Sequence, residues 1–174
     1  MNAIELIKHR RSCRIFKNTP VESSKIDTLT KAVLWAPTSK NNRSWEFVWV
    51  DDKKILEQLA KCKPHGAEFL ANAPLGLVIF ANPTKSEAWI EDASVAATLV
   101  QITAEDLGLG SCWIQVRLRN HDEQLTANDY CKKLLNAPQH LETTYIIAIG
   151  YKEKERAPYS DEHLTMERVH KNCF

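Results

Sequence analysis

The chain has 174 residues, 44% of them hydrophobic, with a formal net charge of +1, so it can bury one substantial core and is short for two. That near-neutral balance argues against a broad nucleic-acid or anionic-membrane surface, which shows as a strong basic excess. Five cysteines without a CxxC pair and six histidines without an HxxxH spacing argue against a disulfide frame and a metal site, and suit free thiols in a reducing compartment.

In chain order, Ala3, Ile4, Leu6 and Ile7 predict a short amphipathic helix that runs into His9-Arg10-Arg11-Ser12-Cys13-Arg14. Over residues 1–17 five cations (Lys8, Arg10, Arg11, Arg14, Lys17) face a single acid, Glu5. Cations in a last helical turn offset the helix dipole with no further purpose. Ser12 between Arg11 and Arg14 also supplies guanidinium forks and a hydroxyl, a common way to hold a phosphate dianion. A second helix is expected over 21–35, capped by Ser23 or Ser24 and stopped by Pro37. Residues 38–44 form a polar loop that is either plain turn chemistry or a set of hydrogen bonds for a ligand. A strand follows over 45–50, then short helices over 55–60 and 66–73.

The unbroken apolar run 75–81 predicts a strand covered on both faces. Residues 89–107 lack Gly and Pro and carry two helical stripes, one through Ala93, Ala96 and Val100, the other through Val95, Leu99 and Ile102. They predict a long helix buried on more than one side, ended by Gly108. From Ser111 to Arg119 the period-two alternation predicts a strand, followed by a helix over 122–135 and a strand over 145–149. The tail 159–174 has no strong period, so Met166, Val169 and Phe174 need a surface outside their own segment. The pattern is α+β around four core strands, one domain over residues 1–174. Without a signal-like N-terminal apolar core or a membrane-length run, the expected location is the cytoplasm.

The five glycines exclude a GxGxxG fingerprint, since Trp113 stands where the third glycine would fall after Gly108 and Gly110. No P-loop exists either. A nucleotide-like cofactor, if present, must therefore be gripped by side chains, and Arg10, Ser12 and Arg14 are the evident grip.

Four ordered segments carry a family resemblance over almost the whole chain. Arg10-Arg-Ser-Cys-Arg-Ile-Phe16 resembles RRSxRxF, and Ala36-Pro-Thr-Ser-Lys-Asn41 followed by Trp45 resembles APSxxN…W. Gly108-Leu-Gly-Ser-Cys-Trp-Ile114 closes the central helix, and Ile149-Gly150-Tyr151 ends the last strand. The set is similar to the FMN-dependent nitroreductase-like proteins. The resemblance implies a two-layer α+β fold, with a mainly antiparallel sheet, surrounding helices, a long buried central helix and an intertwined homodimer whose tail crosses the partner.

It further implies that Arg10, Ser12 and Arg14, with Arg11, hold the FMN phosphate and ribityl end. Pro37, Thr38, Ser39 and Asn41 would reach the flavin from the partner subunit. Gln115 and Val116 would lie near the reactive face, and Arg156, rather than Lys154, would be a second phosphate cation. No catalytic acid or base is implied, because the flavin would carry a hydride from NAD(P)H to a nitroaromatic, quinone or similar acceptor in a ping-pong cycle. The chain departs from the family pattern at Arg43-Ser44, where relatives have Gln-Pro, and at Val116, where relatives often have Gly. The competing readings are a flavin-binding store or sensor without turnover and, further off, a basic-arm module for nucleic acid.

Overall fold

The computed structural model describes residues 2–174. Helix α1 (Ala3–His9) is started by the Asn2 side chain, which accepts from the Glu5 N–H at 2.9 Å. It buries only Leu6, while Ile4 and Ile7 stay exposed. Helix α2 (Ser23–Leu34) buries Leu29 and Val33. Neither Ser23 nor Ser24 caps it: both fall inside the first turn, and the capping position is Glu22, whose carboxylate instead accepts from the Tyr151 hydroxyl at 2.7 Å.

Strand β1 (Trp45–Val50) leads into α3 (Lys53–Leu59), which begins where Asp52 accepts from the Lys54 and Ile55 N–H groups. Residues 68–72 form a 3-10 turn rather than the expected helix. Strand β2 (Leu75–Ala81) is buried at every position. Helix α4 (Trp89–Asp106) then runs 18 residues, roughly 27 Å at 1.5 Å per residue. Its end is a Schellman turn, with Leu109 N–H donating to Ala104 O at 2.8 Å and Gly108 at φ 73°.

Strand β3 (Gly110–Gln115) is shorter than the alternation predicts. The Val116 and Arg117 N–H groups both turn to Thr144 O (3.2 and 3.1 Å), and Leu118 takes φ 59°, so the ladder stops. Helix α5 (Ala127–Leu134) starts later than expected because Asp122 folds residues 122–125 into a turn and Thr126 provides the cap. Strand β4 (Glu142–Gly150) is longer than expected. Its polar start is accommodated because Asn128 Oδ1 accepts from Thr143 N–H at 2.7 Å and the Thr144 hydroxyl donates to Ile79 O at 2.8 Å.

The four strands pair antiparallel in the order β1-β2-β4-β3. One face, through Leu75, Leu77, Ile79, Ile147 and Ile149, packs on α2 and α4. The other, through Val78, Phe80, Ile114, Ile146 and Ala148, packs on α3 and α5. The sheet laid on its central helix is thus extended by helices on the far side, as the wholly buried β2 requires. No helix among the described residues is long and apolar enough to cross a membrane. In the tail, Leu164, Met166, Val169 and Phe174 are exposed.

Candidate functional site

The basic stretch after α1 is held as an arm across one end of the sheet. Cys13 N–H donates to Ser111 O at 2.9 Å, Lys17 N–H to Tyr151 O at 2.9 Å, and Glu153 N–H to Ile15 O at 3.2 Å. The arm lies so close that a Cβ on Gly110 would meet Cys13 Cβ at 2.7 Å and Lys152 Cγ at 2.8 Å. Glycine at 110 is therefore a condition for the site, not only for the turn.

On one side of the arm a cavity of about 360 Å³ is lined by Ser12, Cys13, Arg14, Lys152, Lys154 and Arg156, with His9, Arg11, Ile15 and Glu155. On the other side a cavity of about 440 Å³ is lined by Arg10 and Ser12 together with Ile7, Thr98, Gln101, Ile102 and Trp113. Ser12 borders both. The charges divide into engaged and unengaged groups. Lys152 Nζ lies 2.7 Å from Glu105 and 3.2 Å from Glu155, so the one carboxylate at the first cavity is already paired. Arg11 donates to Ala157 O at 2.6 Å and lies 4.3 Å from the Tyr159 ring centroid, which commits it to the tail. Arg10 and Arg156 make no side-chain hydrogen bond or ion pair among the described residues, and Arg14 only lies 5.7 Å from the Phe69 ring centroid.

Arg10, Ser12 and Arg14 also converge electrostatically. Burial pushes the Cys112 thiol up, and the Arg14 charge, the Ser12 hydroxyl and the Arg10 charge act against it. Burial likewise raises Cys13, against a hydrogen bond to Ile15 O and the charges of Lys152 and Arg156. Both thiols stay protonated near neutral pH, which argues against a thiolate nucleophile.

Along β3 the Trp113 ring packs on Tyr145 with centroids 4.0 Å apart, and the Tyr145 hydroxyl meets Ser94 Oγ on α4 at 2.8 Å. Trp113 Nε1 donates to Gln115 Oε1 at 3.3 Å, and Gln115 Nε2 donates to Arg117 O at 3.0 Å. The Gln115 amide is therefore fixed beside the second cavity. Val116 is different. It is fully buried in the opposite core cluster, its N–H donates to Thr144 O and its carbonyl accepts from Arg119 N–H. Its side chain fills the core where a glycine would leave a void, and within this chain its N–H is already engaged.

The polar loop lies elsewhere. Ser39 N–H donates to the buried Asp92 carboxylate at 2.8 Å, and Ser86 Oγ donates to its other oxygen at 3.2 Å. Three non-glycine residues there, Lys40, Asn41 and Arg43, have φ of 51°, 56° and 46°, conformations that cost about 1–3 kcal/mol each and persist where surroundings enforce them. Next to them Ser44 Oγ and Trp45 Nε1 are buried without a hydrogen-bond partner among the described residues. Asp92 stands nine residues before Gln101 on α4, roughly 13 Å along the axis. Within one subunit, then, Pro37, Thr38, Ser39 and Asn41 are not brought to Arg10, Ser12 and Arg14.

The sequence reading missed Lys152, which alternates with acids like a solvated turn but is partly buried and paired with buried Glu105. It also missed Asp92, an acid in a first helical turn that looks like an ordinary dipole partner. Only its position among Ala93, Ala96 and Ala97 hinted that it points inward.

A profile of the family described as "Nitroreductase family" matches residues 7–63 and 60–151. A solved structure described as an FMN-dependent nitroreductase from Clostridium difficile R20291 superposes with a TM-score of 0.97 at 46% identity, covering 98% of this chain and 99% of that one. A protein of Archaeoglobus fulgidus, provisionally named NADH dehydrogenase/NAD(P)H nitroreductase, is 28% identical over 97% of this chain and 96% of its own length. The Bacillus subtilis FMN reductase (NADPH) is 29% identical over 86% of this chain and 66% of its own length.

Proposed function

Since the chain belongs to the nitroreductase family, we propose that it is an FMN-dependent oxidoreductase that uses NAD(P)H to reduce a nitroaromatic, quinone or similar acceptor. The observation that carries this reading is the set of guanidiniums around Ser12. Among the described residues the Arg10, Arg14 and Arg156 guanidiniums make no hydrogen bond or ion pair, while the neighbouring carboxylate Glu155 shares Lys152 with Glu105. Such a site lacks one thing, a polyanion, and a phosphate monoester suits three guanidinium forks and a hydroxyl. When bound, FMN supplies the redox chemistry, accepting a hydride from the nicotinamide and delivering electrons to the acceptor.

The remaining work belongs to side chains. Ser12 and the three arginines bind and orient the phosphate end. Trp113, braced by Tyr145 and Ser94, and Gln115, braced by Trp113 and Arg117, form a rigid wall beside Arg10. Arg11 fastens the tail instead, and Val116 supports the wall from the core. Lys154 is left as a peripheral cation.

The distance between the polar loop and the arm supports a homodimer in which Pro37, Thr38, Ser39 and Asn41 of one subunit complete the site of the other. The strained loop and the exposed apolar residues of the tail are surfaces that such a partner would use. The test is to release the chromophore from purified protein and identify it, then to add NADPH or NADH anaerobically. FMN that is bleached by a nicotinamide supports the reading, and protein with no flavin that cannot be loaded refutes it.

A further inference from the structure

A third cavity, about 610 Å³, lies at the corner between β3 and α5, lined by no side chain assigned to the cofactor above. Trp89, Arg117, Leu118 and Arg119 line it together with Asp129 and Glu142. The corner is a tight turn, with Arg119 N–H donating to Val116 O at 3.0 Å and Leu118 at φ 59° with 77% of its surface exposed. This turn brings both arginines to the same cavity.

Both carboxylates there are engaged. Asp129 accepts from Thr126 Oγ1 at 2.7 Å and from Asn128 Nδ2 at 3.3 Å, and Glu142 lies 3.7 Å from the buried Lys132 ammonium. Neither arginine is. Arg117 lies over the Trp89 ring, 5.5 Å from its centroid, a contact that occupies none of its N–H donors. Neither Arg117 nor Arg119 makes a side-chain hydrogen bond or ion pair among the described residues. Counting the Lys132 that pairs with Glu142, three cations face two carboxylates at this corner, and the two arginines are the cations with open donors.

Its location gives it a use. Gln115 Nε2 donates to Arg117 O, so the corner is tied to the Trp113–Gln115 wall. Four residues of extended chain separate Trp113 from Arg117, roughly 13 Å. We propose that Arg117 and Arg119 bind the phosphates of the reducing dinucleotide. The arm around Ser12 then serves the cofactor and this corner serves the electron donor. The inference rests on the oxidoreductase reading. Phosphate is the shared chemistry, and it has two sources on such a donor, the pyrophosphate common to NADH and NADPH and the 2′-phosphate of NADPH alone.

The test uses FMN-loaded protein and the oxidised nucleotides NADP⁺ and NAD⁺, titrated calorimetrically so that turnover is not needed. In the double variant Arg117→Gln, Arg119→Gln, the Kd for NADP⁺ should rise about tenfold or more, the loss expected for charge-assisted hydrogen bonds. Flavin content per subunit and the thermal midpoint should not change, and Arg117→Lys, Arg119→Lys should recover part of the affinity. A parallel loss for NAD⁺ assigns the contact to the pyrophosphate, and an unchanged NAD⁺ affinity assigns it to the 2′-phosphate. Affinities for both nucleotides within twofold of the parent, in a variant that still holds FMN, overturn the proposal. Failure of the parent protein to hold FMN overturns the oxidoreductase reading instead, and the flavin spectrum separates the two failures.

Discussion

Replacing Arg10 and Arg14 by Ala separates the phosphate site from the fold. Among the described residues neither side chain forms a hydrogen bond or ion pair, and Arg14 is exposed. Truncation should therefore leave apo-protein stability within about 0.5 kcal/mol, as for surface positions without partners. Each charge-assisted bond to phosphate is worth about 1.5–3 kcal/mol, or roughly 10- to 100-fold in Kd for each single variant. The two act on one anion, so their effects should couple rather than add. FMN fluorescence quenching on titration into apo-protein reads the affinity, and thermal melts of the same apo samples read the stability. Arg11→Ala is the internal control: its guanidinium is held by Ala157 O and Tyr159, so it should loosen the tail with a smaller effect on FMN. Undiminished FMN affinity in the Arg10→Ala, Arg14→Ala protein would refute the assignment, as would an equal loss in Arg11→Ala.

Lys152 is partly buried and pairs with buried Glu105, with side-chain exposures of 13% and 6%, so Lys152→Met should cost up to about 3–5 kcal/mol of unfolding free energy by stranding the carboxylate. Burial pushes the Lys152 ammonium down, but its bonds to Glu105 and Glu155 outweigh that and leave it above its ordinary 10.5. Its contribution is thus complete below pH 10.5 and fades as pH rises through the higher folded value, so denaturant melts of parent and variant should converge only at the alkaline end. For the assembly, light scattering of FMN-loaded protein at low micromolar concentration should report a dimer, and removal of residues 159–174 should weaken it; a folded, loaded monomer contradicts the shared site. Steady-state kinetics with NAD(P)H and a quinone should give parallel double-reciprocal lines, with acceptor competing against donor at high concentration; intersecting lines contradict alternate use of one open face.

The elements that could be read from sequence were those whose periodicity answers to burial on the spot. The seven apolar residues of β2 and the Gly/Pro-free run of α4 each have one compatible environment. Element ends were less legible because they depend on distant groups. Strand β3 stops where Thr144 O captures two N–H groups, and β4 starts early because Asn128 and Ile79 satisfy two threonines. In the candidate site, Arg10, Ser12 and Arg14 stood out in sequence as a basic run around a hydroxyl, and the fold sets all three on the arm. Arg11 looks equivalent to them, and only the fold sends it to the tail. Val116 alternates with Gln115, so it faces the opposite core, a direction that family resemblance does not convey. Arg117 and Arg119 read as the polar side of a strand, and only the turn at Leu118 brings them to one cavity.

The central claim is that this chain binds FMN and accepts electrons from a nicotinamide, and anaerobic stopped-flow absorbance on the purified, flavin-loaded protein tests it most directly. Mixing with NADPH or NADH, with no acceptor present, should bleach the flavin band near roughly 450 nm, an absorbance that comes from the cofactor itself, and a quinone added afterwards should restore it. A flavin that dithionite bleaches but neither nicotinamide does would contradict the claim and leave a protein that binds the cofactor without turning over.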